Sequence, residues 1–169
     1  MRNIFRNIAI AVLIASFAFA FAACGSEGSN TPAKDYDVIS IAKSIAENVS
    51  FEDEYLTPVA DIAFELNRDD IDLDSIVEVD GVKQAAVYVS GAYPEMIFAL
   101  KAVDEAAAGK AMNAIKAIIE NYTNNYTNYG PEQVSKLTSA VKVTRGQYVF
   151  VIVSNDNAAA STYLEGLLG

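Results

Sequence analysis

Hydrophobic and polar residues follow two different periods along the second half of the chain, and these periods predict most of its elements. The segments Lys83–Gly91 and Glu95–Ala102 have the short apolar runs of two strands joined by a turn. "AVKVT" and "QYVFVIVS" predict a second hairpin around Arg145-Gly146. Because "YVFVIV" has no alternation, Tyr148–Val153 is predicted to be a central strand covered on both faces, whereas the alternating "VKVT" is predicted to lie nearer an edge.

Helical periodicity predicts four helices around these strands. The first begins after Asp35, which is expected to cap it, and a long helix begins after Asp104. The Gly-Pro pair at 130–131 ends the long helix and opens a shorter one, and Asp156 or Asn157 caps the last. The positions that fall on one helical face are Val38, Ile41, Ala42, Ile45 and Val49 in the first helix and Ala111, Ile115, Ile118, Tyr122 and Tyr126 in the long one.

The two strand–strand–helix units can be aligned with each other. Both begin with Ala-Val-x-Val, have a phenylalanine in the second strand (Phe98 or Phe150), and have an aspartate before three alanines. A duplication and the convergence of two similar units both explain this likeness. The chain is therefore predicted to have an α+β fold, in which a four-stranded antiparallel sheet carries helices on one side and an N-terminal helix is added.

Residues 51–80 contain eleven of the twenty-two acidic residues and only scattered apolar ones, which predicts loops with one or two short helical turns. Asp70, Asp72 and Asp74 have the alternate spacing that opens a calcium loop, but the glycine and the glutamate that complete an EF-hand loop are missing from their positions. A solvated acidic loop with Asp74 as a helix cap explains the pattern better. A weak site for a divalent cation is the alternative.

An apolar run at the N-terminus precedes all of these elements. The first seven residues contain two arginines and no acid, and Ile8 to Ala22 is apolar except for Ser16. A basic start, a short apolar run and an exit through small residues are typical of a secretory signal peptide. We therefore expect residues 1–23 to be a signal peptide that is removed.

The only cysteine, Cys24, follows this run directly. Phe21-Ala22-Ala23-Cys24 resembles the bacterial lipobox, with phenylalanine in place of the usual leucine. The resemblance implies that Cys24 receives a diacylglyceryl group, whose two acyl chains suffice for stable anchoring; an ordinary secreted protein is the alternative. Residues 24–34 would then be the lipidated cysteine and a flexible linker, and residues 35–169 a single domain on the extracytoplasmic face of the cell membrane.

Charge and composition exclude several functions. After cleavage the chain would have ten basic and twenty-two acidic residues, a net charge of −12, which does not suit nucleic acid. Histidine is absent and lipidation would use the only thiol, so catalytic triads and most zinc sites lack their residues. Ser40 and Lys43 have the spacing of a serine–lysine pair, but the partner motifs of that enzyme class are missing. We expect no enzyme and no cofactor.

Five residues are candidates for ligand binding. Tyr122, Tyr126 and Tyr129 lie at helical spacing with asparagines between them, so they could stack on sugars. Tyrosines that cover the edge of a core give the same pattern. Glu95 and Glu132 are candidates for a general-acid pair, although a carboxylate at position 132 would also stabilise a helix N-terminus.

Several of these residues also carry a resemblance to a known family. Glu95 before a strand, the segment Tyr129-x-Pro131-Glu132-Gln133 and the segment Gly146-x-Tyr148-Val149 are similar to bacterial lipoproteins grouped as domain of unknown function 4358. The likeness extends from roughly Asp35 to the C-terminus, with Pro94 where the family usually has aspartate. It implies an envelope lipoprotein of this α+β architecture and brings no known activity.

The function expected from the sequence is therefore that of a membrane-anchored domain that binds an unknown envelope protein or a cell-wall component without catalysing a reaction. Two alternatives are open. One is a carboxylate- or metal-dependent hydrolase or transferase of the cell envelope, and the other is a weak calcium-responsive module.

Overall fold

The computed structural model describes residues 34–54 and 56–169. The signal peptide expected over residues 1–23, the lipidation expected at Cys24 and most of the linker lie outside these residues. Asp35–Gly169 form one compact unit. The helices are α1 Val38–Asn48, α2 Ile62–Arg68, α3 Glu105–Tyr129, α4 Val134–Thr138 and α5 Asn157–Leu168. The strands are β1 Thr57–Pro58, β2 Glu78–Val79, β3 Val82–Lys83, β4 Ala85–Val89, β5 Met96–Lys101, β6 Val141–Arg145 and β7 Tyr148–Val153.

The main sheet is antiparallel and has the strand order β1-β4-β5-β7-β6. Its four long strands are the four predicted ones, and the predicted α+β class is confirmed. All six residues of β7 are buried between β5 and β6, as the continuous apolar run predicts, and β6 lies at an edge. The two-residue strand β1 at the other edge and the small hairpin of β2 and β3 were not predicted from the sequence.

Helices cover both faces of the sheet, so the prediction that they pack on one side is wrong. On one face α3, with Leu66 of α2 and Leu137 of α4, packs on Phe98 and Leu100 of β5. On the other face α1 and α5 pack on Ile97 and Phe150. The first five residues of β5, Met96–Leu100, alternate between the two faces and are all apolar and buried, which requires a layer of helices on each side.

The internal likeness of the two units does not extend to three dimensions. The aligned residues Phe98 and Phe150 face opposite sides of the sheet, and α3 and α5 cover opposite faces. If the two units were symmetric copies, a two-fold axis would exchange the antiparallel neighbours β5 and β7, and such an axis runs perpendicular to the sheet. Rotation about this axis keeps each helix on its face of the sheet, so α3 and α5 would lie on the same face. The structure therefore favours convergence of two hairpin–helix units.

The helix caps correct two predictions and confirm two. The first helix is capped by Asp37, whose carboxylate accepts the N–H groups of Ile39 and Ser40, and not by Asp35. The 3₁₀ turn Leu73–Ser75 is capped by Asp72 and not by Asp74. Asp104 caps α3 as predicted, and of the two alternatives for the last helix, Asp156 is the cap.

In the acidic segment, α2 supplies about two helical turns as predicted and is capped by Asp61. The segment also contains the 3₁₀ turn Leu73–Ser75 and the short strands β1 and β2, which were not predicted. None of the helices in the described residues is both long enough and apolar enough to cross a membrane.

In α3, the long helix, the last buried side chain is Ile119. A helix of 25 residues is about 37 Å long, whereas the six residues of β5 span about 20 Å. The last ten residues of α3 therefore extend beyond the sheet.

Candidate functional site

The candidate residues are unevenly distributed between the two ends of the sheet. The chain enters the domain at Asp35, whose carboxylate accepts hydrogen bonds from Lys101 Nζ at 2.8 Å and from the Tyr148 hydroxyl at 2.6 Å. These bonds hold the pKa of Asp35 below its usual value. We call this the entry end. The opposite end, the far end, holds the loop between β4 and β5 and the last turns of α3, and it is where most candidate residues lie.

Glu95 is almost completely buried at the far end, with 1% of its surface exposed. Its two carboxylate oxygens accept the backbone N–H of Glu52 at 2.9 Å, and Oε2 also accepts the N–H of Asp53 at 3.0 Å. Lys136 Nζ donates to Oε1 at 2.9 Å. Because the carboxylate is surrounded by these donors, Glu95 ties the segment that follows α1 to the loop before β5.

Lys136 is the centre of this cluster. Its ammonium also donates to the carboxylate of Glu52, which accepts a further bond from Gln133 Nε2 at 3.2 Å, and it lies 5.5 Å from the ring centre of Tyr93. Burial lowers the pKa of Lys136, but the bonds to Glu52 and Glu95 outweigh burial and raise it above its usual value. The same contact with Lys136, helped by Gln133, lowers the pKa of Glu52.

The structure does not bring Glu95 and Glu132 together as a pair of acids. The acid that shares a cation with Glu95 is Glu52, whereas Glu132 is exposed in the 3₁₀ turn Pro131–Gln133. A general acid must be able to exchange its proton with a substrate. Glu95 is enclosed by four hydrogen bonds from protein groups, so its arrangement is that of a structural ion pair.

The candidate tyrosines lie on the part of α3 that extends beyond the sheet. The rings of Tyr122 and Tyr126 are stacked, with centroids 6.4 Å apart and planes inclined by 12°. Tyr126 packs partly against the core, and this burial raises the pKa of its hydroxyl. Tyr122 is 38% exposed and Tyr129 is 89% exposed.

The segment Asn121–Pro131 has no charged residue, although the chain as a whole is strongly acidic. The side chains of Asn121, Asn124, Asn125 and Asn128 are exposed along the same helix. We call this aromatic and amide surface, residues 121–131, the tyrosine ridge. It combines flat apolar rings with neutral donors and acceptors, which are the groups that contact sugars.

The three aspartates of the apparent calcium loop lie toward the entry end. Asp70, Asp72 and Asp74 line a cleft of about 380 Å³, together with Asp104 and Lys110. The carboxylate of Asp72 accepts the N–H of Asp74 at 3.0 Å, which is the contact of a turn. Within the described part of the chain, no group of three or more acidic, histidine or cysteine side chains is placed to hold a metal ion.

The serine–lysine spacing in α1 is a surface feature. The Ser40 hydroxyl donates to the cap residue Asp37 at 2.6 Å, and Lys43 is 3.8 Å from Glu47 on the exposed side of the helix. The structure thus directs the two side chains to different partners.

No pattern in the sequence indicates that Lys136 holds the far end together. Lys136 is 41 residues from Glu95 and 84 residues from Glu52. Asn157, considered only as a cap, is buried and fully bonded: its Oδ1 accepts the N–H of Ser154 at 2.8 Å, and its Nδ2 donates to the carbonyl of Lys136 at 2.8 Å. Contacts at such separations have no periodic signal, so only the folded chain reveals them.

Fold and site together define a small three-layer α+β domain with a far end fixed by a buried ion pair and a long helix that extends beyond the sheet. The sequence pattern of the family described as "Domain of unknown function (DUF4358)" matches residues 64–154, and the chain belongs to this family. The match includes all four long strands and α3 and leaves out α1 and α5. No curated protein and no solved structure matches the chain.

Proposed function

We propose that this protein is a lipid-anchored, non-enzymatic binding domain on the extracytoplasmic face of a bacterial cell membrane, and that its tyrosine ridge binds neutral sugar units of the cell wall. The observation that carries the proposal is the contrast between the candidate side chains at the far end. The carboxylate of Glu95 is used within the fold, whereas Tyr129 and part of Tyr122 are open to solvent.

The anchor is supported by the N-terminal sequence. A basic start, an apolar run and a lipobox-like Phe21-Ala22-Ala23-Cys24 precede the linker, and a diacylglyceryl group on Cys24 provides the two acyl chains that stable anchoring requires. The net charge of −12 expected after cleavage opposes adsorption of the domain to anionic headgroups. Asp35, the first residue of the domain, is bonded at the end of the sheet opposite the ridge.

The ridge supports a neutral ligand. A sugar ring presents an apolar face to an aromatic ring and hydroxyls to neighbouring amides, and the ridge has both without a charged group. An anionic wall polymer would be repelled by the acidic domain, whereas an uncharged glycan would not. The ligand class that fits is therefore the glycan of the wall.

The anchor is tested by mass spectrometry of the full chain produced in a bacterial host. We expect a mature N-terminus at Cys24 carrying a diacylglyceryl group, and we expect Cys24→Ser to leave the leader uncut or release the protein from the membrane. An unmodified thiol on Cys24 contradicts the anchor.

Binding is tested by co-sedimentation of the full chain in detergent with insoluble cell-wall glycan stripped of protein and anionic polymers. We expect the protein in the pellet and its release by soluble fragments of the same glycan. If the protein stays in the supernatant, or if the glycan is cleaved during incubation, the proposed binding role is wrong.

A further inference from the structure

The edge strand β6 has an unused row of backbone hydrogen-bonding groups. The turn between β6 and β7 has two residues, so the residues that flank it, Arg145 and Tyr148, form a hydrogen-bonded pair. Hydrogen-bonded pairs recur at every second position of an antiparallel ladder, so the next ones are Val143 with Phe150 and Val141 with Ile152. The N–H and C=O groups of Lys142 and Thr144 therefore point away from β7. Outside the β6–β7 ladder, no backbone hydrogen bond within residues 34–54 and 56–169 uses these four groups.

The other edge of the sheet is protected, and this one is not. The strand β1 at the opposite edge has two residues and contains Pro58, which has no N–H to offer. The strand β6 has five residues without a proline, and its fourth residue, Thr144, is exposed. The helices α3 and α5 cover its two faces and leave its edge open.

A cleft of about 570 Å³ runs beside this edge. Its walls are the first half of β6 on one side and the first turns of α5 on the other, and they include the small side chains Ala140, Ala158 and Ser161. A strand placed against β6 would thus have room for the side chains that it turns toward α5. A groove between an edge strand and a helix is a common receptor for an extended peptide.

The positive charge next to the edge of β6 favours an acidic partner. The side chain of Lys142 lies on the face of β6 that α3 covers, because Val141 and Val143 face α5, and burial together with the nearby charge of Lys116 on α3 lowers the pKa of Lys142. The charged side chain on the α5 side of the cleft is that of Asp156, which caps α5 by accepting the N–H of Ala159. Arg145 is neutralised by its ion pair with Glu165. In a domain with a strong negative net charge, two adjacent lysines form a local positive site for carboxylates.

We propose that the edge of β6 binds an extended, acidic segment of a partner protein, which adds a sixth strand to the sheet next to Lys142 and Thr144. This goes beyond the proposed function, because it uses a different surface and a polypeptide in place of a glycan. A second copy of this chain is not the occupant that the charges favour, since each domain has a net negative charge.

The test measures binding of fluorescent pentapeptides to the full chain in detergent micelles by fluorescence anisotropy. The probe is acetyl-Glu-Val-Thr-Val-Glu, with a second probe in which lysine replaces both glutamates. Two further probes have N-methyl groups on alternate amides, one on the odd positions and the other on the even positions. Because only alternate amides face β6, we expect one methylated probe to lose at least tenfold in affinity and the other to bind like the parent. We expect the lysine probe to bind at least tenfold more weakly than the parent.

Variants of Thr144 and of the tyrosine ridge complete the test. Thr144→Pro removes the outward N–H and is compatible with an edge strand, and we expect it to weaken the parent probe at least tenfold, whereas Thr144→Val keeps the N–H and binds as the wild type does. Tyr122→Ala and Tyr129→Ala in the ridge should leave peptide binding unchanged, so failure of the glycan proposal does not affect this one. Equal affinity for both methylated probes, or a dimer that Thr144→Pro dissociates, overturns the proposal.

Discussion

Lys136 Nζ and Glu95 Oε1 form an ion pair of 2.9 Å between residues that are 41 positions apart in the chain. The carboxylate is fully buried and the lysine side chain is 10% exposed. The pair therefore fixes α4 to the loop before β5 in a place where water cannot replace either partner. Its energetic role is structural, and that role can be measured.

Replacement of Glu95 by glutamine is expected to lower the free energy of unfolding by about 3 kcal/mol, because it removes a buried charge from its partner and puts an amide N–H₂ among hydrogen-bond donors. Urea denaturation monitored by circular dichroism measures this value. The matched control is Glu132→Gln, an exposed glutamate in the same region, which should change stability by no more than about 0.5 kcal/mol. Equal effects of the two substitutions would contradict the ion-pair assignment.

Stability at low pH should depend on Glu52. Its folded pKa is lower than the ordinary 4.5, so it contributes stability that is present above that pH and is lost as the pH falls through the folded value. Lys136 has a raised pKa, and its contribution is complete below 10.5 and is lost only at higher pH. We therefore expect the wild type to lose more stability than Glu52→Gln between pH 6 and pH 3, and urea midpoints at each pH measure the difference. Parallel loss in the two proteins would show that Glu52 is not coupled to folding.

Asp37 caps α1, and its replacement is expected to destabilise the domain. Replacing Asp37 by alanine removes the acceptor for the N–H groups of Ile39 and Ser40 and should cost about 1 kcal/mol, whereas Asp37→Asn keeps an acceptor and should cost less. Thermal unfolding of the two variants makes the comparison. If alanine and asparagine were equally tolerated, Asp37 would not be the cap.

The sequence predicted the strands well because their apolar runs are long and bounded by turn residues. It placed β7 at the interior and β6 at an edge from alternation alone, and both positions are confirmed. It missed β1 because a pair of residues that includes Pro58 has no strand signal. It also missed the second layer of helices, because periodicity in Val38–Asn48 shows that a face is apolar but not which side of the sheet it covers.

The site was predictable only in part. The tyrosines could be placed on one helix face by their spacing, and the structure places Tyr122 next to Tyr126 as that spacing requires. The burial of Glu95 could not be predicted, because it depends on Lys136 and on the backbone of Glu52, which are distant in the chain. The exposure of Tyr129 depends on how far α3 extends beyond the sheet, which is likewise a property of the folded domain.

Replacing the two most exposed rings of the tyrosine ridge is expected to leave the core intact. The double variant Tyr122→Ala and Tyr129→Ala keeps Tyr126, which packs against the core, and should unfold at nearly the same urea concentration as the wild type. Phe64→Ala, which removes an aromatic ring that is 63% exposed on α2, is the matched control for loss of exposed aromatic surface.

The most direct measurement is the fraction of each full-length variant that sediments with protein-free wall glycan as the glycan concentration is raised. We predict an affinity about tenfold lower for the double ridge variant, because two aromatic contacts are lost, and an unchanged affinity for Phe64→Ala. Wild-type binding by the double ridge variant would contradict the assignment of the ridge as the glycan-binding surface.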